Sequence, residues 1–315
     1  MNLLLSELNR FRSRRAVVLL LVLGFLLSLL IAGTTIWQNR PFDEDELAQA
    51  RAQAMEQATS TVKACEKHPR RYVGSDPAQC QQFLDEAQQH PEYFTDMGRY
   101  PASFDSTAQD LPLTLMATLA FLALLAGTTF VGADIAAGAV SNTLLFRPNR
   151  WQVWAAKLAA TVLWTTLVAA VTLAICLLAL AQTASSDPEL GMVGGDATAL
   201  AWRGLRVLVV TVVAAALGAA VTSALRSTIA TVGVVIGYLL LGEALLRGIF
   251  GYAIEPWLAS SRVFAFVRPR LVITDYDGIR PDTVLNMWPS ALYLGVIALV
   301  VGAVCAVVFS RRDVP

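Results

Sequence analysis

The sequence predicts an all-α polytopic membrane protein: six transmembrane helices, with a helical extracytoplasmic insertion between spans one and two. Three observations carry that expectation. Apolar residues make up 56% of the 315 positions and charged residues only 15%, against about 45–50% and about 25% in a soluble domain. Six mostly apolar runs recur, each of roughly 20 residues and so long enough as a helix to cross about 30 Å of hydrocarbon. The polar residues are gathered into one long segment and a few short connections. Formal net charge is zero, so bulk charge points neither to nucleic acid nor to an acidic partner, and only the placement of each sign is informative.

The tail, 1–15, sets Leu4, Leu8 and Phe11 at helical spacing beside Arg10, Arg12, Arg14 and Arg15. This suits a short helix in the inner interface, apolar side down with its arginines near anionic headgroups. It equally suits a plain charged flank that orients the next helix. Residues 16–36 form the first span. Their apolar core is longer than that of a signal peptide, and Ile31-Ala32-Gly33 makes a poor cleavage site, so the span is expected to stay uncleaved. Trp37 would anchor its far end.

Residues 37–110 hold 13 acids against seven bases. A helix is expected from Asp43 to Lys67, stopped at His68-Pro69, and a second from Pro77 to His90, with Pro77 in its first turn. If this segment lies outside, Cys65 and Cys80 can close a disulfide loop of about 16 residues, worth roughly 3 kcal/mol. Zinc on Cys65, His68 and His90 is the competing reading, and it lacks a fourth ligand at sensible spacing. The expectation is a disulfide and no metal.

Residues 111–133 form span two, with Pro112 at its start, and 134–153 a polar elbow. Span three, 154–182, carries Thr161, Thr165, Thr166 and Thr172. Hydroxyls in such helices bond back to their own carbonyls, so this thread is a weak sign of a solute path. A Gly/Ser/Asp loop over 185–198 leads through Trp202, Arg203 and Arg206 to span four, 205–225. Arg226-Ser227 makes a tight turn into span five, 228–246. There Gly233 and Gly237 form a small-xxx-small pair suited to helix contact, a pattern that also arises by chance in Gly/Ala-rich helices. Over 247–288, Phe250, Tyr252, Trp257, Phe264, Phe266 and Tyr276 alternate with charges and prolines, as in re-entrant or interfacial helices. Span six is 289–309, and 310–315 is a tail bearing Arg311 and Arg312.

With the N-terminus inside, the cytoplasmic cations are Arg10, Arg12, Arg14, Arg15, Arg147, Arg150, Lys157, Arg226, Arg311 and Arg312. Glu7, Asp134 and Asp313 oppose them, leaving an excess that fits the positive-inside rule. Arg262, Arg268, Arg270 and Arg280 in the last outer loop run against it. An even number of spans returns the C-terminus to the cytoplasm, which predicts a multi-pass protein of the cell membrane.

The elbow is the chemically distinctive stretch, because lipid does not tolerate its mixture of an acid, a glycine, a proline and cations. The chain is not expected to hydrolyse ATP through a phosphate-binding loop. Lysine occurs only at 63, 67 and 157, and no glycine precedes one, which excludes a phosphate-binding loop. Both histidines fall in the outer segment and no serine, cysteine or acid pair marks a reaction centre, so no catalytic residue is expected.

This layout resembles the ABC-2 type permeases, the membrane subunits of ABC exporters whose ATPase is often a separate chain. Many members carry in the elbow an acid, a Gly-Thr, a Leu-Leu, a proline, an arginine and then a lysine. Asp134, Gly138, Leu144-Leu145, Pro148, Arg150 and Lys157 fall at similar places. Ala139 replaces the usual threonine, only one acid is present, and Pro148 and Arg150 stand one residue closer than is common. The resemblance implies a dimer, or a pair of related permeases, with two ATPase subunits that hold ATP and Mg; this chain itself would bind no cofactor.

The resemblance also implies that the elbow is the coupling helix. Leu144, Leu145 and Phe146 would fill a groove on the ATPase, with Arg147 and Arg150 steering them. Trp151 and Trp154 would hold the elbow at the interface, and Asp134 would cap or pair with Arg147 or Arg150. An ordinary inner loop is the plain alternative. Implied cargoes are lipids, amphipathic drugs or peptides, leaving the cytoplasm or inner leaflet, with membrane lipids and no nucleic acid among the partners. A self-contained secondary transporter or channel is the competing function and needs intramembrane ionisable groups. Glu243 and Arg247, four apart, are the candidates, and they read equally as a local ion pair. A multi-span receptor or assembly factor is a third reading.

Overall fold

In a computed structural model of the chain, the described residues are 3–38, 44–67, 77–89, 104–146, 148–185, 197–274 and 282–311. Of the residues named above, Asp43, His68, Pro69, His90, Arg147, Tyr276, Arg280, Arg312 and Asp313, and loop 186–196, lie outside them. Six helices are long and apolar enough to cross a membrane: Arg15–Gln38, Thr107–Ala136, Arg150–Gln182, Thr198–Leu225, Thr228–Ala253 and Met287–Arg311.

The elements in chain order are α1 (Leu3–Ser13), α2 (Arg15–Gln38), α3 (Glu44–Lys67) and α4 (Gln82–Gln89). Then come α5 (Phe104–Ala136), α6 (Ala139–Phe146), α7 (Arg150–Ser185), α8 (Ala197–Leu225) and α9 (Thr228–Gly237). A π-helical stretch, Tyr238–Leu245, joins α9 to α10 (Leu246–Phe250). The chain ends with α11 (Ala259–Val267), β1 (Arg270–Ile273), β2 (Thr283–Asn286) and α12 (Met287–Arg311).

Two units divide the chain. One holds residues 33–108 and 180–195. In it, α3 buries Ala50, Ala54, Ala58, Val62 and Cys65, an apolar stripe of helical period. Ala54 and Ala58 meet Ala87 and Leu84 of α4. Cys65 is disulfide-bonded to Cys80, 15 positions on.

The other unit holds residues 1–32, 109–179 and 196–315. Spans two and four form its centre, with 61% and 50% of their apolar windows buried, while span five has 11%. The central contact is made by glycines. A Cβ on Gly127 would lie 2.3 Å from the Ala215 carbonyl oxygen, and one on Gly218 2.4 Å from that of Leu124. Backbones approach this closely only where no side chain intervenes. Around Gly233 and Gly237 of α9, by contrast, nothing lies within 4 Å of such a Cβ. Among the described residues, the close backbone-to-backbone approach at glycine is between α5 and α8, and the α9 pair Gly233 and Gly237 makes no such contact.

Several boundaries differ from the sequence expectation. The helix carrying span two starts at Phe104 and takes Pro112 into its interior. Those of spans three and four begin at Arg150 and Ala197, because a helix does not stop where its apolar window ends. The segment after span five is not wholly helical. β1 and β2 pair antiparallel, Arg270 opposite Asn286 through Ile273 opposite Thr283. Ile273 and Leu285 of this hairpin pack on Ala265 of α11. The span-three threonines all bond back: Thr161 to the Lys157 carbonyl, Thr165 to Thr161, Thr166 to Val162 and Thr172 to Val168. Their hydroxyls are spent on the helix itself.

Candidate functional site

The elbow is built from a glycine turn, a short helix and a proline break. Ala137 and Gly138 donate back to Ala133 and Ile135 at 3.0 Å each, and Gly138 has φ +65°. That left-handed conformation terminates α5 and is strained for any residue with a Cβ. Asn142 N–H donates to the Gly138 carbonyl and opens α6. After Phe146 the helix stops, and Asn149 Oδ1 accepts the Gln152 N–H at 3.3 Å to cap α7.

At the tip, Leu145 is 80% and Phe146 86% exposed. Val140 is buried, so α6 stands with one side on the bundle and its last turn projecting. Pro148 is exposed, and Leu144 is half-buried. Arg150 does not face outward as a steering charge. Its guanidinium donates to the Ser310 carbonyl at 3.1 Å, satisfying the end of the last span. Trp154 donates to Ser223 Oγ at 3.0 Å, tying α7 to α8, while Trp151 stands edge-on to it and half-exposed.

Asp134 and Lys157 lie at the two roots of the elbow, and here the structure corrects the expected pairing of Asp134 with Arg150, whose guanidinium goes to Ser310 instead; Arg147 lies outside the described residues. Asp134 is wholly buried and takes Arg14 Nη2 on Oδ1 at 2.5 Å and Lys157 Nζ on Oδ2. Arg10 stands 3.6 Å away. Lys157 also donates to Glu7 Oε2 at 2.9 Å, and Arg10 bonds Glu7 Oε1 at 3.2 Å. Glu7 and Lys157 are 1% and 4% exposed. Two buried carboxylates are thus held by three cations, which burial of such charge requires. Lys157 also sits 5.3 Å over the Phe130 ring.

The cluster changes the reading of α1. Its apolar stripe faces protein rather than lipid: Phe11 is buried against Phe130, rings 4.9 Å apart at 61°, among Val17, Ala126 and Ala219. Trp164 of α7 donates to the Leu8 carbonyl at 3.1 Å. Glu7, Arg10 and Arg14 are the residues that sequence reasoning missed. A signal was present, since Glu7 falls on the same helical face as Leu4, Leu8 and Phe11, where an acid needs a partner.

At the opposite end of span five, Glu243 is not simply paired with Arg247, whose guanidinium is 3.9 Å away. Its carboxylate accepts Tyr238 O–H at 2.8 Å, Ser260 N–H at 3.1 Å and Ser260 Oγ–H at 2.5 Å. It caps the first turn of α11, a structural task fully occupying both oxygens. No group of histidine, cysteine, aspartate or glutamate that could hold a metal occurs among the described residues.

The elbow thus presents an exposed apolar tip on a chain whose described residues hold six helices long and apolar enough to cross a membrane. A family model described as ABC-2 family transporter protein matches residues 1–314. The chain belongs to the ABC-2 family. No curated protein and no solved structure matches it. Membership makes this ABC-2 protein the membrane permease of an ABC transporter, a transporter subunit rather than an enzyme, of the kind that associates with ABC ATPases.

Proposed function

We propose that this ABC-2 permease is the membrane half of an exporter. It moves a lipid-like, amphipathic drug or peptide substrate out of the cytoplasm or inner leaflet. Two ATPase subunits on separate chains bind the ATP and Mg, and this chain carries no cofactor. The supporting observation is the tip of α6. Leu145 and Phe146 are large apolar groups exposed by 80% and 86% on a short helix with clamped roots. Such a helix docks apolar side first into a groove on a partner. Arg147 and Pro148 flank the contact, whereas Asp134, Gly138, Arg150 and Lys157 shape and hold the elbow.

In this reading the chain sits in the cell membrane with both termini cytoplasmic, and it pairs with a second copy or a related permease. The unoccupied small surface at Gly233 and Gly237 supports that pairing. The test is co-purification with the ATPase subunits encoded beside it. Leu145→Asp with Phe146→Asp should abolish the association while the permease stays folded. Retention of the ATPase by that variant, or transport by the purified chain alone, would overturn the proposal.

A further inference from the structure

A groove of about 260 Å³ runs along the start of span one, walled by Val18, Leu21 and Phe25 of α2 and by Trp164 and Val168 of α7, with Arg12 at its rim. Its walls are wholly apolar in character, because the one polar group among those side chains, the Trp164 indole N–H, is spent on the Leu8 carbonyl. The four arginines of the N-terminal segment divide into two pairs. Arg10 and Arg14 are consumed by Glu7 and Asp134. Arg12 and Arg15 are exposed, and no ion pair engages either among the described residues. Arg12 is the only charged residue lining the groove.

The depth of the groove identifies its occupant. From Arg15 to Phe25 a helix rises about 15 Å, which is half of a hydrocarbon core about 30 Å thick. The groove thus begins at a cation at headgroup level and ends near the bilayer midplane. It spans one leaflet. An apolar groove of this length, open along the helix face and carrying a cation at one end, matches an acyl chain with its phosphate.

We propose that the groove is a fixed site for one acyl chain of an anionic phospholipid in the leaflet on the N-terminal side, with the Arg12 guanidinium holding the phosphate. A guanidinium matches phosphate oxygens in a two-pronged geometry. Selection for a net anionic lipid follows from the local charge. Among the described residues, Arg10, Arg14 and Lys157 already outnumber Glu7 and Asp134, which they pair with, and Arg12 and Arg15 add further positive charge. A zwitterionic headgroup brings its own cation into that excess. The site does not depend on which ATPase docks at the elbow.

Native mass spectrometry of the detergent-purified full chain, titrated with phosphatidylglycerol and phosphatidylcholine of identical acyl chains, tests this. The wild type should retain one phosphatidylglycerol in preference to phosphatidylcholine. Arg12→Glu, at an exposed position that leaves packing untouched, should lower that retention at least fivefold, the factor given by about 1 kcal/mol per basic residue near an anionic surface. Val168→Trp should fill the groove and remove the bound lipid of either kind. Arg311→Glu, an exposed cation remote from the groove, serves as the control for bulk charge. Equal retention in Arg12→Glu and wild type, or an equal loss in Arg311→Glu, would overturn the proposal. So would a dimer that Arg12→Glu dissociates with its lipid adducts unchanged, since a second copy would then be the occupant.

Discussion

Replacing Asp134 with asparagine should destabilise the permease by about 3 kcal/mol. Removing one partner from a buried ion pair costs roughly 3–5 kcal/mol, mostly by leaving charge buried without compensation. The cluster sets the lower end of that range. Arg10 and Arg14 have side chains 33% and 32% exposed, so they can turn toward solvent once Asp134 is neutral. Lys157, 5% exposed, has no such exit and keeps only Glu7 at 2.9 Å. Lys157→Met should cost a similar amount, since each carboxylate then retains arginine contact but loses its buried cation. Combining the two should destabilise less than the sum, because the groups left uncompensated in each single variant are removed together. Thermal unfolding in detergent reads this directly. At about 2–4 °C per kcal/mol, each single variant should melt roughly 6–12 °C below wild type. Losses under about 1 °C for the singles, or strict additivity in the double, would refute the coupling.

Other consequences are as direct. Gly127→Val should sharply lower the yield of folded protein, because its Cβ meets the Ala215 carbonyl at 2.3 Å, while Gly233→Val, facing open space, should leave monomer stability unchanged; monodispersity and melting temperature distinguish them. Cys65→Ser should lower the stability of the 33–108 unit by roughly 3 kcal/mol for the loop that the bridge closes, seen as faster limited proteolysis of α3 and α4, with thiol labelling of wild-type Cys65 and Cys80 appearing only after reduction. Glu243→Ala removes every acceptor from the Ser260 N–H and hydroxyl at the start of α11, so cysteines placed on α11 should label several-fold faster.

The six spans were legible because each obeys one local rule: about 20 apolar residues must cross the hydrocarbon. Their ends were less so, since Phe104 to Asp110 and Ala197 to Gly204 continue as helix outside the apolar window. The elbow itself was visible as a polar interruption, but not which of its apolar residues stay uncovered: Leu145 and Phe146 are exposed while Leu144 is half-buried. The ion cluster was not legible. Glu7 and Lys157 are 150 positions apart and Arg14 and Asp134 are 120, and sequence offers only nearby partners such as Arg147 or Arg150. Likewise Gly127 meets Ala215 and Gly218 meets Leu124 across the bundle, whereas at the pair visible by spacing, Gly233 and Gly237, no described residue comes within 4 Å of an added Cβ. Local periodicity says which face of a helix is small or charged, and only the fold says what faces it.

The Asp134–Lys157 pair closes a ring of chain 23 positions long, at the foot of which α1 is bolted through Glu7 and Arg14. A lever fixed at two adjacent feet can tilt but cannot splay. In the proposed coupling, load at Leu145 would therefore not be absorbed by prising spans two and three apart at this end; it would turn them as one body and carry α1 along. Span four, in backbone contact with span two at Gly127 and Gly218, resists sliding against that body. Span five, with the smallest buried share of the six, is left freest to move against that body. In the proposed coupling, a passage opened by such a stroke would run along its edge, not through the seam between spans two and three.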